Sequence, residues 1–159
     1  MALPPFQRFL DEHREPVYRF LVAAAGAQEA DDCFQETFIA ALRAYPKVRA
    51  DSNLRAWVLT IAGRKAIDAH RARGRRPLPA ASPPEPAAVA PAGPADTELW
   101  ALVAGLPPKQ RTTVALRFVG DLSHAEIAGA LNCSEDAARR NLHEALAKLR
   151  NELRKGWTP

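Results

Sequence analysis

Cysteine is scarce in this chain, and the two present, Cys33 and Cys133, lie far apart and form no C-x-x-C pair. Each falls within or beside a stretch of helical pattern, which points to small buried side chains rather than a disulfide or a metal site. His13, His70, His124 and His143 are scattered without metal-ligand spacing, and neither a nucleophile motif nor a glycine-rich phosphate loop accompanies them. These absences argue against an enzyme, a bound metal and a cofactor. No apolar run approaches the roughly 18 residues that span a bilayer. The first residues carry no signal-peptide pattern, so a soluble, cytoplasmic chain is expected. Neither β-alternation of any length nor an internal repeat is present, which leaves an all-α chain.

What the chain does have is proline, concentrated in one place. Residues 77–95, PLPAASPPEPAAVAPAGPA, hold half of the 14 prolines and one charge, Glu85. With no large side chains to bury and few backbone donors, this run reads as an extended, semi-stiff tether. It divides the chain into two small helical units, 1–76 and 96–159, each the size of a compact bundle. The net charge of +4 and pI of about 9.4 suit a polyanionic partner. The excess lies mainly in the first unit, with 13 basic against 9 acidic residues, while the second holds 9 against 8.

The first unit opens with Phe6, Leu10, Val17, Phe20 and Leu21, an amphipathic helix that Pro16 should kink or restart and Gly26 should close. A second helix, about Glu29 to Ala44, buries Phe34, Phe38, Ala41 and Leu42. Its other face carries Asp32, Gln35, Glu36 and Ile39 at i, i+3, i+4, i+7. Taken alone, that stripe is better explained by solvation than by a partner. A loop over 45–54 follows, rich in turn formers.

The segment 55–76 holds six basic residues between 64 and 76 against one acid, Asp68. Leu54, Val58, Ile61, Ala62 and Ala69 form its buried side, while Trp57, Arg64, Arg71 and Arg75 fall within about 20° of one line on the helix. An aromatic followed by arginines can stack on bases and neutralise phosphates. Alternatively, Trp57 completes the core and the arginines are solvated. The density of positive charge favours nucleic acid.

After the tether, a short helix over 97–103 presents Leu99, Trp100, Leu102 and Val103, and Leu106-Pro107-Pro108 is a stop and restart. The next helix, Lys109–Phe118, offers Val114, Leu116 and Phe118 to the core, and Gly120-Asp121 turns the chain. Ser123 and Glu126 then spell a capping box, with Ile127, Ala128 and Leu131 facing inward. Asn132-Cys133 breaks that helix and Ser134 caps another, whose stripe of Ala138, Leu142, Ala145, Leu146, Leu149 and Leu153 leaves Arg139, Arg140 and His143 outside. A short helix, a tight turn and a longer helix with a basic outer face form a helix-turn-helix of the kind that enters a major groove. An ordinary helical hairpin shows the same pattern.

In this order the motifs resemble a known family. Asp31-Asp32-Cys33-Phe34-Gln35-Glu36-Thr37-Phe38 resembles region 2.2 of bacterial RNA polymerase sigma factors of the extracytoplasmic-function (ECF) type. Trp57-Val58-Leu59-Thr60-Ile61-Ala62, with Asp68 and Arg71, resembles regions 2.3 and 2.4. Leu106 through Arg111 and Leu116-Arg117-Phe118 resemble region 4.1, and Leu122 through Ala128 resemble the start of region 4.2. The resemblance covers nearly the whole chain outside the tether. It implies a sigma region 2 bundle and a sigma region 4 helix-turn-helix bundle, and a non-enzymatic role in promoter recognition and opening. It implies that Asp32, Gln35, Glu36 and Ile39 dock on the β′ clamp helices of core polymerase, with the β flap a further contact. Val48, Asp51, Ser52, Asn53, Trp57, Arg64, Lys65, Arg71 and Arg75 would hold the melted −10 strand. Ser134, Glu135, Asp136, Arg139, Arg140 and His143 would read the −35 duplex. An anti-sigma factor is an open partner, and the polymerase-bound chain would be associated with the nucleoid.

The chain departs from the family pattern in places. Arg64 stands where the family usually has Asn, Glu144 where an arginine is frequent, and Asp136-Ala137-Ala138-Arg139-Arg140-Asn141 where Gly-Thr-Val-Lys-Ser-Arg is common. Glu135 and Asp136 suit a helix N-terminus but repel phosphate unless they face away or accept from cytosine N4. These departures leave the promoter sequence open. The competing reading is a stand-alone helix-turn-helix repressor whose N-terminal bundle dimerises or senses a ligand. It requires a stable dimer on a palindrome, whereas the sigma reading requires the free chain to run as a 17.4 kDa monomer on size exclusion with mass detection.

Overall fold

The computed structural model describes residues 2–75 and 94–155, apart from the side chains of 75 and 94–97. Most of the tether expected at 77–95 lies outside the described residues, and its last two residues, Pro94 and Ala95, instead begin a helix. All regular structure among the described residues is helical.

Helix α1 spans Phe6–Ala25 and α2 spans Ala27–Ala44. Gly26 joins them at φ 91°, a left-handed value that favours glycine, and its N–H bonds the Val22 carbonyl. The break expected at Pro16 does not occur, because α1 runs through it. Proline there forfeits one hydrogen bond, to the Glu12 carbonyl. That loss is outweighed by burial of Phe9, Val17, Phe20 and Leu21 along the same helix, each worth about 1.5–3 kcal/mol when fully removed from water.

A short 3-10 turn, Tyr45–Lys47, follows α2, and the Tyr45 hydroxyl donates to the Pro4 carbonyl. Phe9 sits at the centre of an aromatic cluster, its ring centroid 5.5 Å from Phe6, 5.3 Å from Tyr45, 5.7 Å from Trp57 and 6.2 Å from Phe38. Helix α3 spans Leu54–Arg75, and Asn53 caps it by accepting the Ala56 N–H at 3.1 Å. The three helices pack pairwise into one bundle.

Helix α4 spans Pro94–Ala104, α5 Pro108–Phe118, α6 His124–Leu131 and α7 Glu135–Lys155. The capping box is present in full, with Ser123 accepting the Glu126 N–H at 3.1 Å and Glu126 accepting the Ser123 N–H at 2.9 Å. Asn132 closes α6 in the left-handed region, and Ser134 accepts the Ala137 N–H at 3.0 Å at the head of α7. Val103, Leu106, Val114, Leu142, Ala145 and Leu149 form a core within this second unit.

Three apolar assignments need correction. Leu42 is 54% exposed, because it lies one residue past the buried Ala41 and turns toward Ile39. Phe118 is 59% exposed at the end of α5, where no helix covers it. Leu153 is 49% exposed near the end of α7, beyond the buried reach of the stripe at Leu149.

The larger difference concerns how the two units relate. Helix α5 packs on α1 and α3, and α6 packs on α3, so Ala115, Leu116, Leu122, Ile127, Ala128, Ala130 and Ala138 belong to the same apolar cluster as Phe9, Leu59 and Ala66. Leu59, Gly63 and Ala66 form a second buried face on α3, alongside the expected one at Val58 and Ala62. Small residues permit the approach. A Cβ added to Gly63 would meet both δ-methyls of Leu116 at 3.8 Å, and one added to Gly120 would meet the Leu116 carbonyl at 2.7 Å and a Leu59 methyl at 3.2 Å. Leu116→Ala should therefore cost about 2–5 kcal/mol and accelerate amide exchange in α1 and α3 as well as in α4–α7. Acceleration confined to the second unit would contradict a shared core.

Candidate polymerase and nucleic-acid interfaces

Helix α2 turns Phe38 and Ala41 into the bundle, and the same periodicity sends Asp32, Gln35, Glu36 and Ile39 outward. All four are exposed. Ile39, 51% exposed, and its neighbour Leu42 add an apolar edge to the acidic and amide groups. A face that combines two bare aliphatic side chains with carboxylates is better suited to a partner than to solvent alone. Behind it, Cys33 is buried and its Sγ lies 3.8 Å from the Lys65 carbonyl.

Burial pushes the Cys33 thiol up to about 11, and the carboxylates of Glu29, Glu36 and Asp32 push in the same direction. The folded state favours the neutral thiol, so this group's contribution to stability is present below the ordinary thiol range near 9 and is lost as pH rises through about 11. Thiol labelling at pH 8 should modify the half-buried Cys133 well before Cys33, and equal rates would contradict this environment.

The residues expected at the melted strand gather at the start and along one side of α3. Val48 and Ser52 are half-buried, Asp51 and Asn53 are exposed, and Asp51 pairs with Arg49 at 3.3 Å. Arg64 and Arg71 are exposed and Lys65 is half-buried, while the Arg75 side chain lies outside the described residues. Trp57 does not stand with the arginines as a free stacking surface. It is half-buried against Phe9 and Tyr45, the core-completing alternative read from the sequence. Asn53 has a second bond besides its cap, since Nδ2 donates to Glu126 Oε2 at 3.2 Å across the two units.

On α7, Glu135, Asp136, Arg139, Arg140 and His143 are all exposed, and Ser134 is the cap. Arg139 donates to Glu135 at 2.8 Å, an i,i+4 pair with both side chains about half exposed. Such a pair contributes about 0.3–0.5 kcal/mol, little enough for the guanidinium to exchange Glu135 for a phosphate or a base edge. Glu144 is engaged with Gln110 of α5 at 3.4 Å rather than with a phosphate-facing neighbour.

Sequence reasoning missed Arg111. Although charged, it is 8% exposed, and its Nε donates to the Ala23 carbonyl at 2.8 Å near the C-terminus of α1. Burial, and then the nearby Arg73, lower its pKa. His70 bonds the adjacent Ala24 carbonyl at 2.8 Å, so two side chains from different units satisfy the end of α1. No local pattern could have shown this, because Arg111 and Ala23 are 88 residues apart. The described residues include no cluster of metal-ligating side chains, and no described helix is long and apolar enough to cross a membrane.

Comparison with known proteins shows the family. A sigma-70 region 2 model matches residues 9–76 and a sigma-70 region 4 model matches residues 96–149. The ECF RNA polymerase sigma factor SigD of Mycobacterium tuberculosis is 35% identical, over 91% of this chain and 74% of its own length. In fold, the chain is similar to the sigma factor RpoE of Bartonella quintana, solved with the anti-sigma factor NepR. The TM-score is 0.75 at 20% identity, over 94% of this chain and 96% of the other. It is also similar to CnrH, solved with the cytosolic domain of CnrY, with a TM-score of 0.69 at 22% identity over 94% and 88%. The chain belongs to the ECF family of RNA polymerase sigma factors, proteins that bind core RNA polymerase and direct it to promoters to initiate transcription.

Proposed function

We propose a division of labour in which residues 1–76 hold core polymerase and the −10 element, residues 96–159 hold the −35 element, and residues 77–95 serve as the tether between them. The bare Ile39–Leu42 edge beside Asp32, Gln35 and Glu36 is the observation that carries this reading. Those side chains dock on the β′ clamp helices, with the apolar edge supplying affinity and the carboxylates orientation. The second unit meets the β flap. Arg64, Lys65 and Arg71, with the 48–53 loop, track the opened non-template strand. On α7, Arg140 and His143 face duplex DNA, and Arg139 joins them on leaving Glu135. No group in this scheme makes or breaks a covalent bond, so the chain acts as a specificity factor and not as an enzyme. Its place is the cytoplasm, at the nucleoid when bound to polymerase. An anti-sigma partner is supported by RpoE and CnrH, which were solved with NepR and with the cytosolic domain of CnrY.

Two weak DNA contacts on one tether gain affinity through effective concentration once core polymerase fixes their spacing. Run-off transcription with purified core enzyme on selected genomic fragments should show promoter-specific product only when the chain is added. Ile39→Glu should weaken binding to core polymerase about tenfold or more, corresponding to about 1.4 kcal/mol per tenfold, while leaving the circular dichroism spectrum unchanged. Unaltered affinity would remove α2 from the interface.

A further inference from the structure

The outward face of α7 is set by the face it buries. Ala138, Leu142, Ala145 and Leu149 point into the second unit. At about 100° per residue, Asp136, Arg140, His143 and Glu144 fall on the opposite side, within about 60° of the line through Arg140. All four are exposed. The charge here does not match a helix that only tracks phosphates. From residue 135 to residue 147 it holds three acids, Glu135, Asp136 and Glu144, against two arginines, Arg139 and Arg140. Phosphate contacts call for positive charge, whereas the reading of base edges uses acceptors as well as donors.

Glu144 is also held from behind. Gln110 of α5 is 8% exposed, and its Nε2 donates to Glu144 Oε2 at 3.4 Å. The other end of that amide, Oε1, is buried with no hydrogen-bond partner among the described residues. A buried polar atom left unpaired costs free energy, and an apolar side chain of similar length would pack at position 110 without that cost. What the amide adds is its donor, and the donor goes to Glu144. A bond of that length is weak, so it orients the carboxylate without sequestering it. The second oxygen, Oε1 of Glu144, keeps its capacity to accept.

We propose that Glu144, oriented by Gln110, is a specificity-determining residue of the −35 reader and accepts a hydrogen bond from the N4 amino group of a cytosine in the major groove. The proposal deepens the −35 reading given above and rests on it. A carboxylate offers acceptors only, so it is satisfied by the N4 donor of cytosine and repelled by the O6 and N7 of guanine and the O4 of thymine. Adenine has a donor at N6, but its N7 acceptor stands beside it and faces the second carboxylate oxygen. Arg140, one turn earlier on the same stripe, has the complementary chemistry and takes guanine O6 and N7. The outward face of α7 thus carries one reader for each partner of a G·C pair. Gln110 acts as a positioning residue, since it touches no base in this scheme.

The test uses the full chain with core polymerase, in run-off transcription from a promoter library randomised across the −35 element, with the products sequenced. The unmodified chain should favour cytosine about tenfold at one position. Glu144→Arg should move that preference to guanine at the same position, and Glu144→Gln should move it to adenine. Gln110→Met should lower the cytosine preference several-fold at that position alone, with the circular dichroism spectrum unchanged. A response confined to one base pair separates positioning from general destabilisation, which weakens every sequence alike. If Glu144→Arg left the preferred bases as they were, or Glu144→Gln raised product from all sequences equally, Glu144 would only repel phosphate and the assignment would fail. An unaltered profile in Gln110→Met would overturn the positioning role. A library transcribed without preference at any −35 position would sink the −35 reading and this assignment with it, whereas a profile insensitive to Glu144 sinks this assignment alone.

Discussion

The seating of α5 between the two bundles is the contact on which the rest of the structure depends. Leu116 fills the space above Gly63 and beside Leu59, and Gly120 lets the chain turn away without striking either. Residues Gln110 through Leu116 are all buried, although the sequence pattern assigned only Val114 and Leu116 among them to the core. Thr112 and Thr113 are fully buried in this position, and Thr113 returns its hydroxyl to the Lys109 carbonyl at 2.7 Å. The apolar contacts supply the driving force, because each fully buried leucine contributes about 1.5–3 kcal/mol. Arg111 works differently. A hydrogen bond to a charged group contributes about 1.5–3 kcal/mol, but desolvating a guanidinium costs several. Its bond to Ala23 therefore selects the docking register more than it adds stability.

The same packing sorts the surface into faces of different charge. The carboxylate-rich stripe of α2 and the basic side of α3 are on neighbouring helices of one bundle but diverge in charge, and under the proposed function this difference would keep an anionic strand and a protein partner apart. On α7, the Arg139–Glu135 pair is exposed and weak, so under the proposed function it would give way to a stronger acceptor at low cost. Trp57, by contrast, is committed to the aromatic cluster around Phe9, which stiffens the loop before α3 where Asn53 and Ser52 sit.

Much of the second unit was legible residue by residue. The Ser123–Glu126 box, the Asn132 stop and the Ser134 cap are local devices whose partners lie within a few residues, and each occurs as read. Pro16 does not restart the helix because the rule for proline in a helix is local, while the aromatic and aliphatic burial that overrides it comes from α2 and α3. Leu42 and Phe118 misled for the opposite reason. Their apolarity suggested a core, and nothing in the described fold covers them.

By itself, the sequence determined which segments are helices, where most of them start and stop, and the division into two bundles of recognisable family, since those features follow from caps, periodicity and composition within a few turns of chain. Only the tertiary structure decided that the bundles share a core, that a second face of α3 is buried, and that Arg111 and Asn53 reach across from one unit to the other. Those contacts join residues 73 to 88 positions apart. They depend on the three-dimensional fit of side chains around Gly63 and Gly120, and no pattern along the chain encodes that fit.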